Sequence, residues 1–256
     1  MKPSVGGSMR QQKVGGLAAL YLAAAFVVAM PFFLALVKYP SVVDPVEKVA
    51  LLVGNLDSMR VMYLITYVVF GLVLAVLALA LHARLKDEAP ALAQAATAVG
   101  LIWAVVLVAS GMVFNAGMTA VVELHATNPA QAVSAWQAIE PVAQGLGGSG
   151  GELLGGLWVL LVSVAALRTR RLPKMLNWLG VAIGAAGVLS VVPALNDVAY
   201  GFGLLVIVWF AWLGVAMLRS PSRAAAPASI TETTPASAAA SSTPRPSSPQ
   251  PSPIPS

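Results

Sequence analysis

Apolar runs of about twenty residues, free of charge apart from one carboxylate in the fourth and each bordered by charged or proline-bearing segments, recur six times along the chain. They fall at Val14 to Val37, Val61 to Leu81, Leu92 to Met118, Gly148 to Leu167, Met175 to Leu195 and Val198 to Leu218. A helix rises 1.5 Å per residue, so each run can cross the roughly 30 Å hydrocarbon core of a bilayer. Barrel strands are excluded, because they alternate polar and apolar residues over about ten positions and these runs do not alternate. The pattern predicts an all-α, polytopic membrane bundle of six transmembrane helices. Lys2, Arg10 and Lys13 precede the first run as in a signal peptide. Its apolar core exceeds the roughly 7 to 15 residues of a signal h-region, which predicts a retained helix.

Between these runs the polar spacing changes. Asp44-Pro45-Val46-Glu47 offers a capping acceptor, proline at the first helical position and a carboxylate three residues after the cap. Asn128-Pro129-Ala130-Gln131 repeats the device, and Ala132, Ala135, Trp136 and Ile139 then recur along one helical face. Two short amphipathic helices on the outer face are therefore expected, covering the helix ends or forming a partial lid. The fifth and sixth runs are joined through Asn196 and Asp197, which predicts a tight hairpin with Asp197 capping the sixth helix. Gly180, Gly184 and Gly187, with Gly151 and Gly155, suit close helix packing.

The segment 220–256 holds nine prolines, fourteen Ser or Thr and eight alanines, with no apolar period that builds a core. A disordered tail is expected, whose Pro246, Pro249, Pro251, Pro253 and Pro255 give polyproline II character suited to docking a protein partner. Three regions follow: an N-terminal segment 1–13, the membrane domain 14–219 and the tail 220–256.

Composition agrees, with 58% apolar and 10% charged residues and a mean hydropathy of +0.82, against roughly 25% charged residues in soluble domains. A soluble enzyme is excluded. The absence of cysteine and the presence of only His82 and His125 exclude disulfides, iron–sulfur clusters and nearly all structural zinc sites. No metal and no cofactor is expected.

The net charge of +5 is unevenly distributed. Twelve of the fifteen Lys and Arg fall on the side of the N-terminus, and only Lys38, Lys48 and Arg60 fall on the other. The positive-inside rule then places both termini in the cytoplasm. Trp178, Trp209 and Trp212 fall where an interfacial aromatic belt is expected. Arg168, Arg170, Arg171 and Lys174 crowd one short cytoplasmic loop and suit contact with anionic lipid headgroups. The basic balance points to an anionic inner leaflet and not to nucleic acid.

Glu152 is the most informative ionisable residue, lying about 6 Å inside the fourth run when that run starts at Gly148. Intramembrane carboxylates are costly and mark functional sites by default. Arg60, at the mouth of the second run, and Asn115, in the outer part of the third, are its candidate partners in an outer-leaflet polar cluster. The competing account is a carboxylate at a helix start, where it suits the dipole.

Gly147-Gly148-Ser149-Gly150 resembles the serine motif of the rhomboid intramembrane proteases, whose histidine base lies on the sixth helix. Val198 to Leu218 has no histidine, and a serine without a base is a poor nucleophile. Arg171-Leu172-Pro173-Lys174-Met175-Leu176-Asn177-Trp178-Leu179-Gly180, with the glycine-bearing helix after it and Trp209 to Arg219, resembles the bacterial integral membrane proteins grouped as domain of unknown function family 4386. The resemblance covers about residues 14 to 219 and implies a bacterial six-helix membrane protein with no activity or catalytic residue to carry over. The leading expectation is a non-enzymatic membrane component, a partner subunit or regulator. The alternative is a transporter or binding protein for a small molecule or lipid, built on Glu152, Arg60 and Asn115. A hydrolase using Ser149 is the third.

Overall fold

A computed structural model describes residues 5–147, 152–192, 194 and 198–219. Its helices are α1 (Val5–Pro31), α2 (Pro45–Tyr63), α3 (Phe70–Leu85), α4 (Pro90–His125), α5 (Pro129–Gly147), α6 (Leu153–Thr169), α7 (Lys174–Leu189) and α8 (Val198–Arg219). Among the described residues there is no strand. Three continuous helical stretches are long and apolar enough to cross a membrane: Arg10–Leu36, Pro45–Leu85 and Pro90–His125. Leu153–Thr169, Lys174–Leu189 and Gly203–Arg219 are shorter apolar helices.

Two of the long stretches change pitch, the first at its end and the second midway. After Pro31 the chain widens into a π-helical turn over Phe32–Leu36, and α2 joins α3 through another over Leu64–Val69. Such wide turns occur often at functional sites.

The capping expectations hold at the starts of α2 and α5. Asp44 accepts from the backbone N–H of Val46 at 2.8 Å and of Glu47 at 2.9 Å, and Asn128 accepts from Gln131 N–H at 3.1 Å. The first of these helices starts at Pro45 as expected and ends at Asn55, whose backbone leaves helical geometry (φ −129°, ψ 18°) before a second helical stretch within α2 carries on into the second apolar run. Gly54-Asn55 supplies the helix stop.

Two cores result. The larger joins α1, α3, α4, α6, α7 and α8 around Leu22, Leu74, Leu77, Trp158, Trp209, Phe210 and Leu213. The smaller joins α2, α4, α5 and Tyr39 around Leu52, Met59, Tyr63, Phe114, Met118 and Trp136. Ala132 and Trp136 are fully buried in it, with Ala135 and Ile139 packed against it, so the apolar face of α5 is spent on covering α4 and α2.

Glycine makes the closest approach, between α6 and α7. A Cβ on Gly184 would stand 2.6 Å from the Leu160 nitrogen and 2.7 Å from the Gly156 oxygen, and one on Gly156 would meet the Gly187 backbone at 2.8 Å. Trp178 and Trp212 are exposed as an interfacial belt requires. Trp209 instead is buried edge-on to Trp158 at 5.9 Å, because its face of α8 turns toward α6. Asn196, Asp197, Gly151 and the tail 220–256 lie outside the described residues.

Candidate functional site

At the α5 end of the bundle, Glu140 is buried on the apolar face of its helix. Its Oε1 accepts from Tyr39 Oη, Lys48 Nζ and Gln144 Nε2, each at 2.8 Å. Trp136 Nε1 donates to Tyr39 Oη at 3.0 Å, and Lys48 Nζ stands 5.1 Å from the centre of the Tyr39 ring. Burial first, and then the neighbouring Glu140 carboxylate, push the Tyr39 phenol well above its ordinary range. This carboxylate is paired and hydrogen-bonded, as a buried charge must be. Its visible role is to clasp α5 to α2 and to the Tyr39 turn. Tyr39, Lys48, Glu140 and Gln144 form one wall of a cavity of about 290 Å³, with the rings of Phe33, Tyr63, Tyr67 and Phe114 opposite.

A second cavity of about 390 Å³ adjoins it and shares Phe33 and Tyr67 with it. Its walls are Ala25, Phe26, Ala29, Met30, Leu34, Thr66, Phe70, Trp103, Leu107, Gly147 and Glu152. Both π-helical turns contribute, through Phe33 and Leu34 from one and Thr66 and Tyr67 from the other. Thr66 donates its hydroxyl to the Met62 carbonyl at 2.7 Å, so that polar group is already engaged. Gly147 comes so close to Ser110 and Tyr67 that any side chain there would collide with both. The Ser110 hydroxyl, fully buried, donates to the Ala143 carbonyl at 2.7 Å and holds α5 against α4.

Glu152 occupies the N-cap position of α6, yet its side chain makes no capping hydrogen bond. Its backbone N–H donates to Ser190 Oγ at 3.1 Å, and its carboxylate is near enough to Tyr67 to interact with it electrostatically. No hydrogen bond or ion pair joins that carboxylate to another described residue. Asn115 donates to the Gly111 carbonyl of its own helix at 2.8 Å, and its carbonyl accepts from Thr119 at 2.9 Å. Neither Asn115 nor Arg60 lines the cavity that Glu152 lines. Of the three residues singled out from the sequence, the structure brings Glu152 alone to this chamber.

At the opposite end, Arg168, Arg170 and Lys174 are exposed, with Arg170 in the left-handed conformation at φ 51°. Arg171 pairs with Glu88 through Nε at 2.8 Å, and its carbonyl accepts from Arg84 Nη2 at 2.8 Å. Arg171 thus ties the α3–α4 turn to the α6–α7 turn. His82 sits 3.0 Å from Thr97 Oγ1, and Ser149 lies outside the described residues. Among the described residues no group of three or more His, Asp or Glu could hold a metal.

The Glu140 clasp was not anticipated from the sequence. Its signal was nonetheless present: Glu140 falls four residues after Trp136, on the face marked by Ala132 and Trp136, and a carboxylate on an apolar face demands a partner.

Three helical stretches long and apolar enough to cross a membrane, around an aromatic chamber holding one carboxylate, suggest an all-α membrane protein. Residues 16–218 match the family model described as Domain of unknown function (DUF4386), and the chain belongs to that family. No curated protein and no solved structure matches it.

Proposed function

We propose that this is a non-enzymatic membrane protein that binds a small apolar or amphipathic molecule in the Glu152 chamber. The chamber itself carries the reading. Its 390 Å³ falls in the range of small-molecule sites and equals about thirteen water volumes, room for a compound of about a dozen non-hydrogen atoms. Its largely apolar lining with one charged group fits the usual make-up of a ligand pocket. The reading as a partner subunit or regulator rests on the tail at 220–256, whereas the chamber lies within the described fold.

In this reading the six apolar helices cross the cell membrane of a bacterium, with both termini cytoplasmic. The α5 end then faces outward and the chamber opens in the outer leaflet. Arg168, Arg170 and Lys174 meet anionic headgroups of the inner leaflet, and the proline-rich tail extends into the cytoplasm. The positive-inside count supports this orientation.

The test is native mass spectrometry of the full chain released gently with its own lipids. The reading expects a stoichiometric small-molecule adduct that Ala29→Phe, which fills the chamber, displaces. A spectrum holding only a protein partner, lost when the chain ends at Arg219, would return the function to the tail.

A further inference from the structure

We propose that the Glu152 chamber selects lipophilic monocations, amines or quaternary ammonium compounds carrying an apolar body. The inference rests on the chamber being a ligand site and goes further by assigning the charge of the ligand.

The argument starts from the contrast between two carboxylates. Glu140 has three donors at 2.8 Å, one of them a lysine, and so asks nothing of a ligand. Glu152 has no such set among the described residues, although it lines a space walled by Phe26, Phe33, Tyr67, Phe70 and Trp103. A carboxylate facing apolar walls is unfavourable without a counter-charge. The start of α6 offsets part of that charge through the helix dipole. It does so without the side-chain cap that would turn the carboxylate away from the chamber.

Aromatic faces carry negative potential and attract cations, most of all desolvated ones, so rings and carboxylate select the same sign. An anion would be repelled by both, and a neutral guest would leave the carboxyl group to take up a proton, whereas a cation pairs with its charged form. A hard inorganic cation needs about six oxygen ligands, which these walls do not supply. An organic cation brings its own apolar covering and fits both features. The chamber volume suits benzyltrimethylammonium, and neopentylbenzene has the same shape without the charge.

The experiment uses full-length protein in lipid nanodiscs and reads the concentration of each compound that half-saturates the rise in melting temperature, with empty nanodiscs as the partition control. Wild type should respond to benzyltrimethylammonium at a concentration at least about tenfold below that for neopentylbenzene. Glu152→Gln should bring the two within about twofold, and Glu152→Asp, which keeps the charge, should retain a preference for the cation. A neutral compound as effective as the cation in wild type, or a preference unchanged in Glu152→Gln, overturns the inference while leaving the chamber as a binding site. If neither compound acts, or both act equally on Ala29→Phe and wild type, the ligand-binding reading falls with it.

Discussion

Lys48 on α2 reaches Glu140 on α5 at 2.8 Å across 92 residues of sequence, and that contact closes the α5 end of the bundle. The same carboxylate oxygen also takes the Tyr39 and Gln144 hydrogen bonds. A neutral amide in its place keeps one acceptor oxygen but leaves the Lys48 charge uncompensated and adds a donor group to a site already supplied with three.

Glu140→Gln is therefore expected to destabilise the protein, with a Lys48–Glu140 coupling of about 0.5–3 kcal/mol in a double-mutant cycle with Lys48→Met. Unfolding in a graded detergent series measures it. Additive single effects would mean that the pair contributes no coupling.

Glu88 and Arg171 offer the contrast. Their side chains are 41% and 33% exposed, against 10% and 21% for Glu140 and Lys48. Exposed pairs contribute about 1 kcal/mol or less and are screened by salt. Glu88→Gln should thus shift stability less than Glu140→Gln does, and the shift should shrink further in high salt.

Alkaline pH should act on Tyr39. Its pKa is raised in the folded protein, so above the ordinary tyrosine value of 10.0 the unfolded chain loses this proton first. Stability from the Tyr39 hydroxyl is complete below that value and falls as pH rises beyond it. Tyr39→Phe should show a shallower alkaline decline than wild type, the slope common to both reporting all other groups. Parallel declines would remove Tyr39 as the cause.

The glycines separate packing from propensity. Gly184→Ala pushes a methyl into the backbone of α6 and should cost about 1–3 kcal/mol. Gly54 has no atom within 4 Å of an added Cβ, so Gly54→Ala should be neutral or gain about 0.5–1 kcal/mol from helix propensity. Thermal unfolding of the two variants, side by side, distinguishes the effects.

Much of this fold was legible in the order of residues. Apolar runs and caps located the helices, because both reflect local chemistry: Asp44 and Asn128 cap as their spacing requires, and Ala132 and Trp136 turn inward together. Of the chamber's walls, only Glu152 was marked out by the sequence. Arg60 and Asn115 share its depth in a one-dimensional count, but depth does not give the side of a helix, and Asn115 turns to its own backbone. Trp209 misled for the same reason, being at interfacial depth yet facing α6. Glu140, Lys48 and Tyr39 meet through a long-range fold that no local pattern encodes. The two π-helical turns carry no sequence marker beyond Pro31, though they set the walls of the chamber.

With 36 residues, α4 is about 54 Å long, well beyond the roughly 30 Å apolar thickness of a bilayer. The excess serves as a mast for α5, with Val121 and Trp136 buried in the core they share. Under the membrane orientation proposed above, the two cores answer to different solvents. Packing within lipid involves little release of water, whereas the α5 layer buries apolar surface that water would otherwise cover. Most of the heat-capacity change on unfolding should accordingly come from the smaller core, and cooling should loosen the α5 layer before it loosens the larger core.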